Sequence, residues 1–65
     1  MKIDTHKISL TLAEKELTRT ALSEISGVSR QSISTIMARG TCTPLTASKL
    51  AKGLGVAISA IAKED

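Results

Sequence analysis

Two stretches on either side of Gly27 each carry one apolar stripe at helical spacing. Leu17, Ala21, Leu22 and Ile25 recur at i, i+4, i+5 and i+8, and Ile33, Ile36 and Met37 at i, i+3 and i+4. The spacing predicts two helices that close their stripes on one core. Upstream, Ile8, Leu12 and Ala13 repeat the pattern behind Asp4 and Thr5. Either of these could cap a first helix from about His6 to Glu16, with Ile3 packing back on it. Downstream, Thr43 and Pro44 read as an N-cap with proline at the first helical position. They open a fourth helix from Pro44 to about Leu54, with Ala47, Leu50, Ala51 and Leu54 as its stripe and Gly55 as its end. Gly53 costs that helix about 1 kcal/mol relative to alanine, which makes its final turn the weakest part of the pattern. Val56 leads into a last short helix from about Ile58 to Lys63. No strand, internal repeat, linker or low-complexity segment is visible. The expected fold is all-α, five helices in one compact domain spanning residues 1–65.

The junction between the second and third helices is the most specific part of the pattern. Two helices that meet steeply need a residue tolerant of a left-handed backbone, then one that buries a side chain between them, and Gly27 and Val28 fit those positions. Ser29 follows as an N-cap, so the third helix starts at about Arg30, and Gly40 can stop it before the polar loop from Thr41 to Thr43. Its outer face is left with Arg30, Gln31, Ser34, Thr35 and Ala38. These side chains are short or hydrogen-bonding, and such a face can lie in a groove. The arrangement is a helix-turn-helix, and it points to duplex DNA as partner.

Composition narrows the field. A chain of 65 residues buries only about 60% of the surface that its unfolded form exposes, so a large substrate cavity is not expected. With 42% apolar residues it is nonetheless a folding sequence. The absence of any Phe, Tyr or Trp argues against modules that stack unpaired bases and favours groove reading. Net charge is +3, and no Asp or Glu occurs between Ile25 and Lys63, a span that holds Arg30, Arg39, Lys49, Lys52 and Lys63. Such a surface suits a phosphate backbone, although a charge run by itself is as often a solvated face.

Cys42 and His6 are the only residues of their types, so one chain can build neither a Cys/His metal site nor a disulfide, and no cofactor is expected. A lone cysteine suits a reducing cytoplasm, with redox sensing by Cys42 as the minor alternative. No signal-peptide h-region and no apolar run approaching 18 residues occurs, so a soluble, cytoplasmic protein is expected. An enzyme is not: the chain has no nucleophile–base pair, no paired carboxylates in one patterned region and no phosphate-cradling glycine loop.

The run LTRTALSEISGVSRQSIS from Leu17 to Ser34, then Gly40, Pro44 and KLAKGLGV from Lys49 to Val56, resembles the Cro and lambda-repressor-like helix-turn-helix family, also called the xenobiotic-response-element family. The resemblance covers nearly the whole chain. It implies a five-helix DNA-binding domain in which helices 2 and 3 form the motif, helix 3 enters the major groove and the amino end of helix 2 sits on a phosphate. Carried over by position, Arg30, Gln31, Ser34 and Thr35 face base edges and Arg19 stands at the amino end of helix 2. Three departures stand out. Arg19 replaces a usual glutamine, Ser23 a small alanine, and the stretch from Ile33 to Gly40 is one residue longer than in many members, with Met37 at a frequent glutamate position.

Base readout should rest on few side chains. Arg30 can donate two bonds to guanine O6 and N7, and Gln31 can pair bidentately with adenine N6 and N7, each worth about 1 to 3 kcal/mol of discrimination. Ser34 and Thr35 sit one turn on, with weaker hydroxyl readout and a threonine methyl for thymine. The plainer alternatives are a phosphate contact for Arg30 and a solvated side chain for Gln31. Arg19, Ser29, Arg39, Thr41 and Thr43 are the candidate phosphate contacts, Lys49 is a weaker one, and Met37 belongs to the core.

One such domain makes few base contacts, so a symmetric homodimer on a palindromic operator is expected, with half-sites about one helical turn apart. Ile58, Ile61 and Ala62 are its candidate interface, although the resemblance puts Ile61 at a core position, which narrows the exposed patch to Ile58 and Ala62. The expected role is a sequence-specific transcriptional regulator, acting as a repressor. The second reading is an antitoxin or other protein-binding module working mainly through a protein partner.

Overall fold

The computed structural model describes residues 1–63; Glu64 and Asp65, which the single-domain expectation includes, lie outside the described residues. Four α-helices and one 3-10 turn follow in order: α1 (Thr5–Glu14), α2 (Arg19–Ser26), α3 (Arg30–Arg39), α4 (Pro44–Leu54) and the turn Ile58–Ala60. Each α-helix starts at a side-chain cap of the same design. The oxygens of Asp4, Thr18, Ser29 and Thr43 accept from the backbone N–H groups of Lys7, Ala21, Ser32 and Thr46, at 3.1, 3.0, 3.1 and 3.3 Å. Of the two cap candidates for α1, Asp4 takes the position.

The far end of α1 departs from the pattern. The helix stops at Glu14, because Glu16 turns left-handed with φ 55°. The Glu16 N–H then donates to the Ala13 carbonyl at 3.2 Å and the Leu17 N–H to the Leu12 carbonyl at 2.9 Å. These bonds close the helix end in the way a glycine usually does, but on a residue that bears a side chain.

Each helix buries a short stripe. Ile8 and Leu12 of α1, Leu22 of α2, Ile33 and Ile36 of α3, and Ala47, Leu50, Ala51 and Leu54 of α4 meet Val28, Ile3 and Ile61 in one aliphatic core. No polar or charged side chain is buried among the described residues. Two stripe positions are corrected. Ala13 and Ile25 are exposed, the latter at 58%. On α2 the cause is the position of α4, which crosses over Leu22 and Ser26; Ile25 lies about 100° round the helix from Ser26 and faces solvent.

The crossing turns on Gly53. A Cβ at that position would stand 2.9 Å from Ser26 Cβ, 3.2 Å from Ser26 Cα and 3.3 Å from Leu22 Cδ1. What the propensity argument reads as a weak final turn is the closest approach of two helices, and α4 continues through it to Leu54.

The last predicted helix is corrected too. Only Ile58–Ala60 coil, as a 3-10 turn, and the chain then straightens to pair with the amino-terminal segment. The Asp4 backbone N–H donates to the Ile61 carbonyl at 2.8 Å and the Lys63 backbone N–H to the Lys2 carbonyl at 3.0 Å. On its other side the same segment joins the loop after α3, through Ile3 N–H to the Gly40 carbonyl at 2.8 Å and Cys42 N–H to the Met1 carbonyl at 3.1 Å. Residues 1–4 thus form an extended strap between two other segments. The pairings remain isolated bridges, Lys2 with Thr41 and Ile3 with Ala62, and no strand forms among the described residues. No helix is long and apolar enough to cross a membrane.

Gly53→Ala should lower stability by about 1 to 3 kcal/mol in urea unfolding, because overpacking against the Ser26 backbone outweighs the ~1 kcal/mol of helix propensity that alanine adds. A more stable variant would show that the helices can separate freely. Glu16→Gly should raise stability by about 1 kcal/mol in the same assay, by removing the left-handed strain.

Candidate nucleic-acid interface

The α2–α3 junction is held from both sides. Gly27 takes the left-handed conformation with φ 77°, and nothing lies within 4 Å of where a Cβ would stand, so its role is conformational and not one of space. Val28 is buried between the helices, and its N–H, which the turn leaves without a helical acceptor, donates to Ser26 Oγ at 3.2 Å. That bond was not anticipated from the sequence. Its only signal there is a serine two residues ahead of the valine, a pattern shared by many turns.

Ile33 and Ile36 anchor α3 to the core, with Met37 half-buried beside them as expected. The helix runs unbroken to Arg39, so the added residue before Gly40 is absorbed within the helix. Arg30, Gln31, Ser34, Thr35 and Ala38 all lie on its exposed face. Among the described residues the side chains of Arg30, Gln31 and Ser34 make no hydrogen bond of their own. Thr35 differs: its hydroxyl donates to the Gln31 carbonyl at 3.0 Å, which uses its proton and leaves its methyl as the outward contact.

Of the expected phosphate contacts, Arg19 and Ser29 stand exposed at the starts of α2 and α3, Arg39 and Thr41 at the end of α3, and Thr43 at the start of α4. Two of the hydroxyls are already engaged. Ser29 Oγ pairs with Ser32 Oγ at 2.9 Å, and Thr43 Oγ1 with Thr46 Oγ1 at 3.0 Å, beside their capping bonds. An incoming phosphate would meet each as a hydroxyl pair at a helix amino end. Lys49 lies exposed on α4.

Between α3 and the start of α4 opens a notch of about 340 Å³, lined by Gln31, Ser32, Thr35, Ile36, Cys42, Thr43 and Thr46. It places Thr43 beside two residues expected to read bases. Burial pushes the Cys42 thiol above its ordinary pKa, while the amino terminus and the Ala47 backbone pull it partly back. The upward shift runs against the low-pKa thiolate that redox sensing draws on.

The electrostatics of the face are one-sided. The first turns of α2, α3 and α4 contain no acidic residue, and α2 and α3 each begin with an arginine. A cation at a helix amino end opposes the macrodipole by about 0.3 to 1 kcal/mol, a cost that an external anion beside Arg19 and Arg30 would offset.

The expected dimer surface shrinks. Ile61 is fully buried and Ala62 is half-buried in its bridge to Ile3, which leaves Ile58, 39% exposed, as the apolar surface of the three. Ile61 takes the core position that the resemblance implies, with the strap folded over it. Among the described residues no group of three His, Cys, Asp or Glu side chains could hold a metal ion.

A family model described as Helix-turn-helix matches residues 9–61. No curated protein and no solved structure matches the chain. The match runs from within α1 to Ile61 and takes in the capped pair α2 and α3 with its glycine turn. The chain thus belongs to the Cro-type helix-turn-helix family of DNA-binding transcription regulators.

Proposed function

We propose that the protein is a sequence-specific transcriptional repressor that places α3 in the major groove of duplex DNA. The single observation that carries this reading is the pair Arg19 and Arg30, each at the first position of a helix whose first turn holds no acid, on a face whose other side chains are exposed and polar. A protein that kept this face in water would gain from acids there. A phosphate backbone reverses the sign.

In this reading Arg30 and Gln31 carry most of the base discrimination, through bidentate bonds to guanine and adenine. Ser34 adds a hydroxyl, and Thr35 contributes its methyl toward thymine. Arg19, Ser29, Arg39, Thr41 and Thr43 fix register on the phosphates. The chain works as one domain, in the cytoplasm, and binds a palindromic operator as a homodimer, with Ile58 and the edge of Ala62 as the apolar patch available for pairing.

Selection of bound sites from random duplexes, at a stated salt concentration, tests the reading. The wild type should enrich a palindromic site. Arg30→Ala and Gln31→Ala should each relax selection at one position per half-site and cost about 1 to 3 kcal/mol on the wild-type site. Arg19→Ala should instead weaken binding evenly across sequences and lower the slope of log affinity against log salt by about 1. No enriched sequence would overturn the regulator reading in favour of a protein-binding module.

A further inference from the structure

The two most exposed of the large apolar side chains are Leu45, 68% exposed, and Ile25, 58% exposed. They lie on different helices, beside charges of opposite sign. Leu45 is in the first turn of α4, with Lys49 and Lys52 at i+4 and i+7, so the three fall within about 60° of one another around the helix. That face is opposite the buried stripe of Ala47, Leu50, Ala51 and Leu54, and α4 carries no acidic residue. Ile25 is in the last turn of α2, next to Glu24, the one acid of that helix, while Arg19 stands at its far end. Lys49, Lys52 and Glu24 are exposed, and their side chains make no ion pair or hydrogen bond among the described residues.

The two faces cannot cover each other within one molecule. α4 meets α2 through its buried side, with Gly53 against Ser26 and Leu22, so its outer face points away from α2. Neither face suits a copy of itself. Two α4 faces paired about a two-fold axis would set lysines against lysines, and two α2 faces would set Glu24 against Glu24. The α4 face of one molecule placed on the α2 face of another brings Leu45 onto Ile25 and the lysines onto Glu24. Apolar surface is then buried and unlike charges meet.

We infer that copies of this chain associate head to tail, the outer face of α4 on one molecule docking on Glu24 and Ile25 of the next. Each added copy leaves one face of each kind free, so the contact can propagate, unlike the symmetric pairing through Ile58. On DNA it would link molecules at neighbouring sites. That consequence rests on the DNA-binding reading above, whereas the contact itself does not.

The test is sedimentation equilibrium of the full chain without DNA, from micromolar to millimolar concentration. Every protein carries Ile58→Ser, which removes the apolar patch for symmetric pairing, and circular dichroism confirms that each is folded. The parent should rise with concentration past twice the monomer mass. Raising salt from about 0.05 M to about 1 M should bring it back toward one monomer mass, because screening weakens the attraction between the lysines and Glu24. Leu45→Gln and Ile25→Gln put a good helix former at an exposed position, and each by itself should stay monomeric. Mixed in equal amounts, they should reach twice the monomer mass and stop there, since one variant keeps the α2 face and the other keeps the α4 face. Glu64→Gln combined with Asp65→Asn should associate as the parent does. A parent that stays monomeric, or a mixture no heavier than its components, would overturn the contact. Loss of association in the Glu64→Gln, Asp65→Asn protein would overturn it as well, by showing that the lysines pair with those carboxylates. Each of these results leaves the DNA-binding reading untouched, because no DNA is present.

Discussion

The fold depends on how closely α4 can approach α2. Gly53 lies against the Cα and Cβ of Ser26 and the tip of Leu22, and there is no room for a methyl group between them. Because α3 is tied to α2 by a three-residue turn, the seat of α4 on α2 also sets the floor on which Ile33 and Ile36 rest, and with it the tilt of the exposed face of α3. A core made only of aliphatic side chains has no large flat ring to bridge a wider gap. Close packing has to come from backbone proximity instead.

On the outside, the same small frame accepts unfavourable electrostatics. Arg19 and Arg30 oppose the dipoles of the helices they begin, and neither is relieved by an acid in the first turn. The side-chain caps offset part of that cost, since Thr18 and Ser29 satisfy amides that would otherwise be left open. The result is a face whose charges are set in place by helices that are secured at the Ser26–Gly53 contact and at Val28.

The amino-terminal strap is the element that joins the ends of this arrangement. It connects the loop after α3 with the segment after the 3-10 turn and covers Ile61. Through it, cations far apart in sequence come to share one cleft beside the end of α3. The strap has no signature of its own. Residues 1–4 are too few to show alternation, and Ile3 by itself reads only as an apolar residue near a helix. Ile58 to Lys63 keeps apolar residues at helical spacing, yet backbone pairing with Lys2 and Asp4 draws its second half out of the helix.

The sequence by itself determined that four α-helices form, the caps at Ser29 and Thr43, the choice of Asp4 or Thr5 at the start of α1, the glycine turn and the polar face of α3, because each depends on residues within one or two turns of each other. Cap chemistry, left-handed glycine and helical periodicity are local, and Pro44–Leu54 emerges with both of its ends as read. Tertiary structure decided what depends on the neighbouring element: that Ile25 faces solvent, that Gly53 is a contact and not a flaw, and that the amino-terminal strap covers Ile61. It also placed His6, Arg39 and Lys63 around one cleft. Periodicity marks which side of a helix is apolar, but not which part of that side another helix will cover, and it carries no information about segments that meet only after the chain has closed on itself.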